Sequence, residues 1–187
     1  MEDKPPQQCV IPLHKPSHRE LFFFFLSGIL VSVPNALFFS NFYPLFPGAI
    51  AVILVAPFIE EFAKVLPLFY RHGETERSIV TLGILVGLGF GVSEFFLYVF
   101  ILDAPWIVRL PGVIFHASSA AVTAYGIAKK KPLPYYLTAV LLHGANNFFA
   151  IETVAPVGVL AELLILITVY LLAWRFYHRA SKEKMVV

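Results

Sequence analysis

Pro57-Phe58-Ile59-Glu60-Glu61-Phe62-Ala63-Lys64 places three ionisable side chains inside an otherwise apolar run from Phe46 to Tyr70. At the centre of a membrane helix each such residue costs ~2.5–3.5 kcal/mol, so the three together oppose insertion by roughly 8–10 kcal/mol before pairing is counted. A helix carries that load only where a surrounding bundle supplies partners. The remainder of the chain predicts such a bundle. Of its 187 residues 58% are hydrophobic and 14% charged, with a mean hydropathy of +0.77. A soluble domain is nearer 45–50% apolar and about 25% charged, so the excess points to a polytopic membrane protein.

Working outward, six apolar stretches cover about Leu21–Phe42, Phe46–Tyr70, Ser78–Leu102, Trp106–Ala128, Tyr135–Ile151 and Pro156–Tyr177. Crossing a 30 Å hydrocarbon core takes about 20 residues, and only the fifth stretch approaches the lower limit of about 17. All are expected to be helices, because a helix satisfies its backbone polar groups without water. The fold class is therefore all-α, a membrane bundle of about six transmembrane helices. Residues 1–20, rich in proline, read as a mobile cytoplasmic tail, 21–178 as the transmembrane domain and 179–187 as a basic cytoplasmic tail. Apart from Lys64 and Arg109, every Lys and Arg falls in the tails, in the loops after the second and fourth stretches or, for Arg175, at the C-terminal end of the sixth. The positive-inside rule then puts both termini in the cytoplasm of a multi-pass cell-membrane protein. The basic residues sit in short loops beside apolar spans, which excludes a nucleic-acid partner. The single cysteine, Cys9, excludes an intramolecular disulfide.

Without tails and loops, the intramembrane polar residues are Glu60, Glu61, Lys64, Glu94, His116, His143 and Asn147. At about 1.5 Å per residue, Glu60, Glu94, His116 and His143 fall into one slab roughly 10 Å thick. Spacing by four puts Glu60 with Lys64, Glu94 with Tyr98, and His143 with Asn147 on shared faces. Pro57 removes a helix hydrogen bond just before the charged group, where irregular backbone is tolerated if it faces a cavity. Gly83, Gly87 and Gly91 form a stripe that a second helix can approach, and Ala117–Ala121 offers a matching run of small residues after His116. Each polar pair alone reads equally well as a buried bridge or interhelical hydrogen bond. Together, three glutamates and two histidines at one depth point to a functional cavity. Desolvated glutamates can act as general bases, and imidazoles can donate to an oxyanion or bind a metal.

The ordered motifs resemble those of the PrsW-type intramembrane proteases, related to the type II CAAX prenyl endopeptidases. Glu60-Glu61-x-x-Lys64 resembles their EExxK motif. Phe90-x-x-x-Glu94 stands where the prenyl enzymes carry FxxxH, His116 follows in the next span, and His143-x-x-x-Asn147 resembles the last motif. The resemblance implies an intramembrane endopeptidase acting on a membrane-anchored protein substrate within the lipid bilayer. Its catalytic residues would be Glu60, Glu61, Glu94, His116, His143 and Asn147, with Lys64 and Tyr98 in support. Glu60 would activate water, Glu61 would assist, and His143 and Asn147 would stabilise the oxyanion. Zinc held by Glu61, Glu94, His116 and His143, or by Glu60 in place of Glu61, is the cofactor left open. With no HExxH in the chain the expectation leans to metal-free glutamate chemistry. A CAAX-type prenyl-protein endopeptidase and a proton-coupled transporter or channel remain alternatives.

Overall fold

The computed structural model describes residues 14–70, 74–152 and 156–186, all helical apart from short connections and isolated bridges. The helices are α1 (His18–Ser27), α2 (Val33–Phe39), α3 (Gly48–Ile50), α4 (Ala56–Val65), α5 (Glu76–Phe96), α6 (Trp106–Ala128), α7 (Pro132–Glu152) and α8 (Val157–Arg179). Wider π-helical turns join α1 to α2 (Gly28–Ser32), α3 to α4 (Ala51–Val55) and extend α5 (Leu97–Ile101). Narrow 3-10 turns follow α2 (Ser40–Leu45) and α4 (Leu66–Tyr70). Cys9, Arg71 and most of the N-terminal tail lie outside the described residues. Within that tail the chain is already helical from His18, where Ser17 and Glu20 form a reciprocal capping box.

Among the described residues four helical stretches are long and apolar enough to cross a bilayer: His18–Leu45, Glu76–Ile101, Trp106–Ala128 and Val157–Arg179. The sequence reading expects six passes. The other two helical stretches, α3–α4 and α7, fall short of that apolarity because they carry the charged triplet and the polar residues His143, Asn146 and Asn147. Among the described residues His14, Glu74, Glu76, Lys129 and Ser181 meet at one end, so the helical stretches run alternately away from that end and back. Large apolar side chains such as Phe22, Leu30, Phe38, Phe100, Leu141, Leu164 and Leu171 stand on the outside, the arrangement a lipid solvent requires.

The centre of the bundle is the α5–α6 pair. A Cβ on Gly87 would collide with the carbonyl of His116, and one on Gly91 would lie 2.9 Å from Cα of Val113. The glycine stripe therefore lets α6 lie directly on α5, as the spacing predicts. The opposite face of α5 repeats the device with Gly89, packed on the backbone of Phe25 beside Gly28 of the first π-turn. Helix α8 covers α6, and α7 fits between α6, α8 and the α3–α4 segment.

The end of the bundle holding both chain termini is tied together. Glu76, fully buried, accepts from Lys129 at 2.5 Å and from the Ser181 amide at 3.0 Å, with Lys184 at 3.4 Å. Arg77 donates to the carbonyls of His178 and Ala180, and Val186 donates to the carbonyl of Glu74. His14 lies 3.6 Å from Glu74.

Candidate active site

Glu61, Lys64, His116, Ser119 and His143 meet in the interior, where α4, α6 and α7 converge. Glu61, Lys64 and Ser119 are 0% exposed, His116 and His143 nearly so. One oxygen of Glu61, Oε1, accepts from Lys64 Nζ at 2.6 Å, Ser119 Oγ at 3.0 Å and His143 Nδ1 at 2.9 Å. Three donors on one oxygen fit an ionised carboxylate facing an ammonium. Lys64 completes its own three directions with Glu61, Ser119 Oγ at 3.2 Å and His116 Nδ1 at 2.9 Å, and its charge sits 5.2 Å over the Phe90 ring.

The spacing argument pairs Lys64 with Glu60, but the structure pairs it with Glu61. Both neighbours are within reach of a lysine one turn later. The choice falls to Glu61 because that side of α4 faces His116 and Ser119 on α6, so an ammonium there finds three partners. Glu60 is turned the other way. Its Oε2 is buried without a hydrogen-bond partner, 3.7 Å from Nε2 of His143.

These contacts assign the tautomers of neutral rings. A neutral His143 that donates from Nδ1 to Glu61 carries its lone pair on Nε2, 3.7 Å from Glu60 Oε2. His116 receives the Lys64 ammonium at Nδ1, so its proton is on Nε2, in close contact with the Glu94 carboxylate. One oxygen of Glu60 and one ring nitrogen each of His116 and His143 all lie within 4.8 Å of one another.

The donor set fits a divalent metal. Carboxylate and imidazole are zinc ligands, Glu60 Oε2 is an orphaned buried oxygen at the spot, and the His143–Glu61 bond is the usual support for a ligating histidine. Ligation through Nε2 of His116 would require that nitrogen to release its proton and Nδ1 to take one from Lys64, so that the ring stays neutral. Glu61, with Oε1 occupied by three donors, stands behind His143 rather than among these ligand atoms.

A cavity of about 340 Å³ lies alongside, lined by Glu94, Tyr98, Arg109, His116, His143, Asn146, Asn147 and Glu162 among others. Arg109 lies over the Tyr98 ring, 3.4 Å from its centroid. Helix α8 contributes Glu162 to the cavity wall, beside Val159, Leu163 and Leu166. Asn147 borders the cavity, yet its Nδ2 donates to the backbone carbonyl of Val52 at 2.9 Å. The structure therefore brings together Glu60, Glu61, Lys64, Glu94, His116 and His143, with Asn147 and Tyr98 at the cavity wall. Ser119 was missed. Its signal was its place one helical turn after His116, hidden in what reads as a run of small packing residues.

A family model described as PrsW family intramembrane metalloprotease matches residues 16–174. No curated protein and no solved structure matches the chain.

Proposed function

Because the chain belongs to the PrsW family of intramembrane metalloproteases, we propose that its buried carboxylate–imidazole cluster hydrolyses a peptide bond of a membrane-anchored protein. The observation that carries this is the convergence of Glu60, His116 and His143 donor atoms within 4.8 Å beside a largely apolar cavity that carries a few polar side chains. Glu60, His116 and His143 would hold the metal the family description implies. A zinc ion there supplies Lewis acidity towards water and a carbonyl oxygen. This reading reverses the metal-free lean of the sequence and moves Glu60 from base to ligand.

Glu94 is then the base. It lines the cavity, touches His116, and lies outside the three-residue donor set. Water adds through oxygen to the scissile carbonyl carbon and its proton passes to Glu94. Glu94 returns that proton to the amide nitrogen as the C–N bond breaks, leaving a carboxylic acid and an amine. Glu61 holds the His143 ring in its tautomer, and Lys64 and Ser119 hold Glu61. The cavity lining includes Ile107, Arg109, Ala150 and Val159, near the helix ends remote from both termini. That supports a substrate reached from the outer side, as in the PrsW-type reading rather than the prenyl-protein alternative.

The test is cleavage of a single-span membrane protein carrying an outer-side reporter, co-reconstituted with the chain in proteoliposomes. Glu60→Gln, Glu94→Gln and His143→Ala should each lose cleavage by at least about 100-fold, in line with general acid–base contributions. Bound zinc, counted by elemental analysis, should fall in Glu60→Gln and His143→Ala and persist in Glu94→Gln. Undiminished cleavage by these folded variants refutes the proposal. Loss of zinc from Glu94→Gln as well would move Glu94 into the ligand set.

A further inference from the structure

Asn147 stands one turn beyond His143 on α7, where the sequence reading gave it an oxyanion role. Its amide is already engaged. Nδ2 donates to the carbonyl of Val52 at 2.9 Å, and a carbonyl can only accept, so the orientation of the amide follows from the contact. The reason Val52 needs a donor lies in the backbone. Within the π-turn Ala51–Val55, hydrogen bonds reach back five residues, and the Ala56 amide is bonded to the carbonyl of Ala51. The next amide in that register is that of residue 57, whose partner would be Val52. Residue 57 is proline and has no N–H. An unpaired carbonyl at membrane depth costs several kcal/mol.

We propose that Asn147 is a positioning residue that supplies, from α7, the hydrogen bond Pro57 withholds from Val52, and so fixes the segment leading into Glu60. Gly144, on the same face of α7, is part of the device. A Cβ there would lie 2.5 Å from the carbonyl of Ile53, so only glycine lets α7 approach this carbonyl face closely enough for Asn147 to bond. Three residues after Pro57 comes Glu60, and the same face of α7 presents His143 to Glu60 and Glu61. The proline opens the helix and the asparagine closes it from outside, locking the carboxylate at one angle to the imidazole. The catalytic consequence rests on the hydrolase reading; the bond itself does not.

The two are tested separately. For the bond, protein labelled with 13C-carbonyl valine is compared by NMR in detergent micelles. Asn147→Ala and the near-isosteric Asn147→Asp, which lacks the N–H, should both move the Val52 carbonyl resonance to that of a free carbonyl. Pro57→Ala returns an N–H to the chain, so Pro57→Ala/Asn147→Ala should return the resonance towards the wild-type position. A Val52 resonance unmoved in both Asn147 variants overturns the proposal, whatever Pro57→Ala does.

For the consequence, cleavage of the single-span reporter protein is measured at matched thermal stability. Asn147→Ala should lower kcat by at least about tenfold with KM within about twofold, and cost less than about threefold in the Pro57→Ala background, as coupled sites do. The same loss in both backgrounds would place Asn147 on the reacting atoms and overturn the positioning role. A fall in melting temperature with unchanged kcat per folded molecule would reduce the bond to a packing feature and likewise overturn it. If the wild type leaves the reporter intact, the hydrolase reading fails while the Val52 resonance still decides the bond.

Discussion

Glu60 and Glu61 are chain neighbours with opposite surroundings. Both bury an Oε2 without a hydrogen-bond partner, but Glu61 gathers three donors on its Oε1, whereas Glu60 stands 3.7 Å from Nε2 of His143. Removing the Lys64 ammonium leaves a buried carboxylate with no counter-charge, the situation that costs about 3–5 kcal/mol. Lys64→Met should therefore lower the thermal midpoint in detergent sharply, and Glu61→Gln/Lys64→Met, which removes both charges, should recover most of it. A Lys64→Met midpoint within a degree or so of wild type would show that Lys64 is not the counter-charge. The sequence exposed the residues of this network but not its wiring. Helical spacing admits Lys64 to either glutamate, and what selects Glu61 is Ser119 and His116, more than fifty positions away on another helix. The same limit hid Ser119, whose hydroxyl has meaning only once Glu61 is placed against it.

At the level of the helix, small residues were the most readable signal because their consequence is purely steric. Gly83, Gly87 and Gly91 recur by four, and the structure lays α6 along that stripe. Gly28 and Gly89 do the same for α1 and α5, but they lie on different helices and have no internal period to betray them. Pro57 announced irregular backbone before the charged group, but not that it would be a π-turn whose Val52 carbonyl is bonded from α7. Gly87→Ala tests the stripe. Its new Cβ would press on the carbonyl of His116 and on Ala120, 2.7 Å from the latter's Cβ. Overpacking of this kind typically costs about 1–3 kcal/mol. Cleavage should fall with stability, because the residue displaced is one of the site's imidazoles. Gly48→Ala is the control: nothing lies within 4 Å of its added Cβ, so stability should hold or rise by up to about 1 kcal/mol from helix propensity. Equal stability for Gly87→Ala and Gly48→Ala would mean that α6 does not need the stripe.

For the molecule as a whole, the basic residues and the tertiary contacts say the same thing by independent routes. The positive-inside rule uses only where lysines and arginines fall along the chain. The structure joins those segments at one end, with Lys129 and Lys184 on Glu76, Arg77 on the last carbonyls of α8, and His14 against Glu74. That closure requires an even number of passes, although the α3–α4 segment and α7 are too polar to be recognised as spans by apolarity. Their polarity belongs to the proposed site, so the features that obscure the passes are those on which the proposed function rests. In a Cys9→Ser background, cysteines introduced at Phe46 and Pro156 should react in intact cells with a membrane-impermeant maleimide. Both residues are exposed at turns on the end away from the termini. Cysteines at Lys130 and Lys182, exposed at the other end, should react only after permeabilisation. Reaction of Lys130→Cys together with Phe46→Cys before permeabilisation would break the alternation of passes. Reversal of both pairs would keep the bundle, place the cavity mouth on the cytosolic side, and return the prenyl-protein reading to contention.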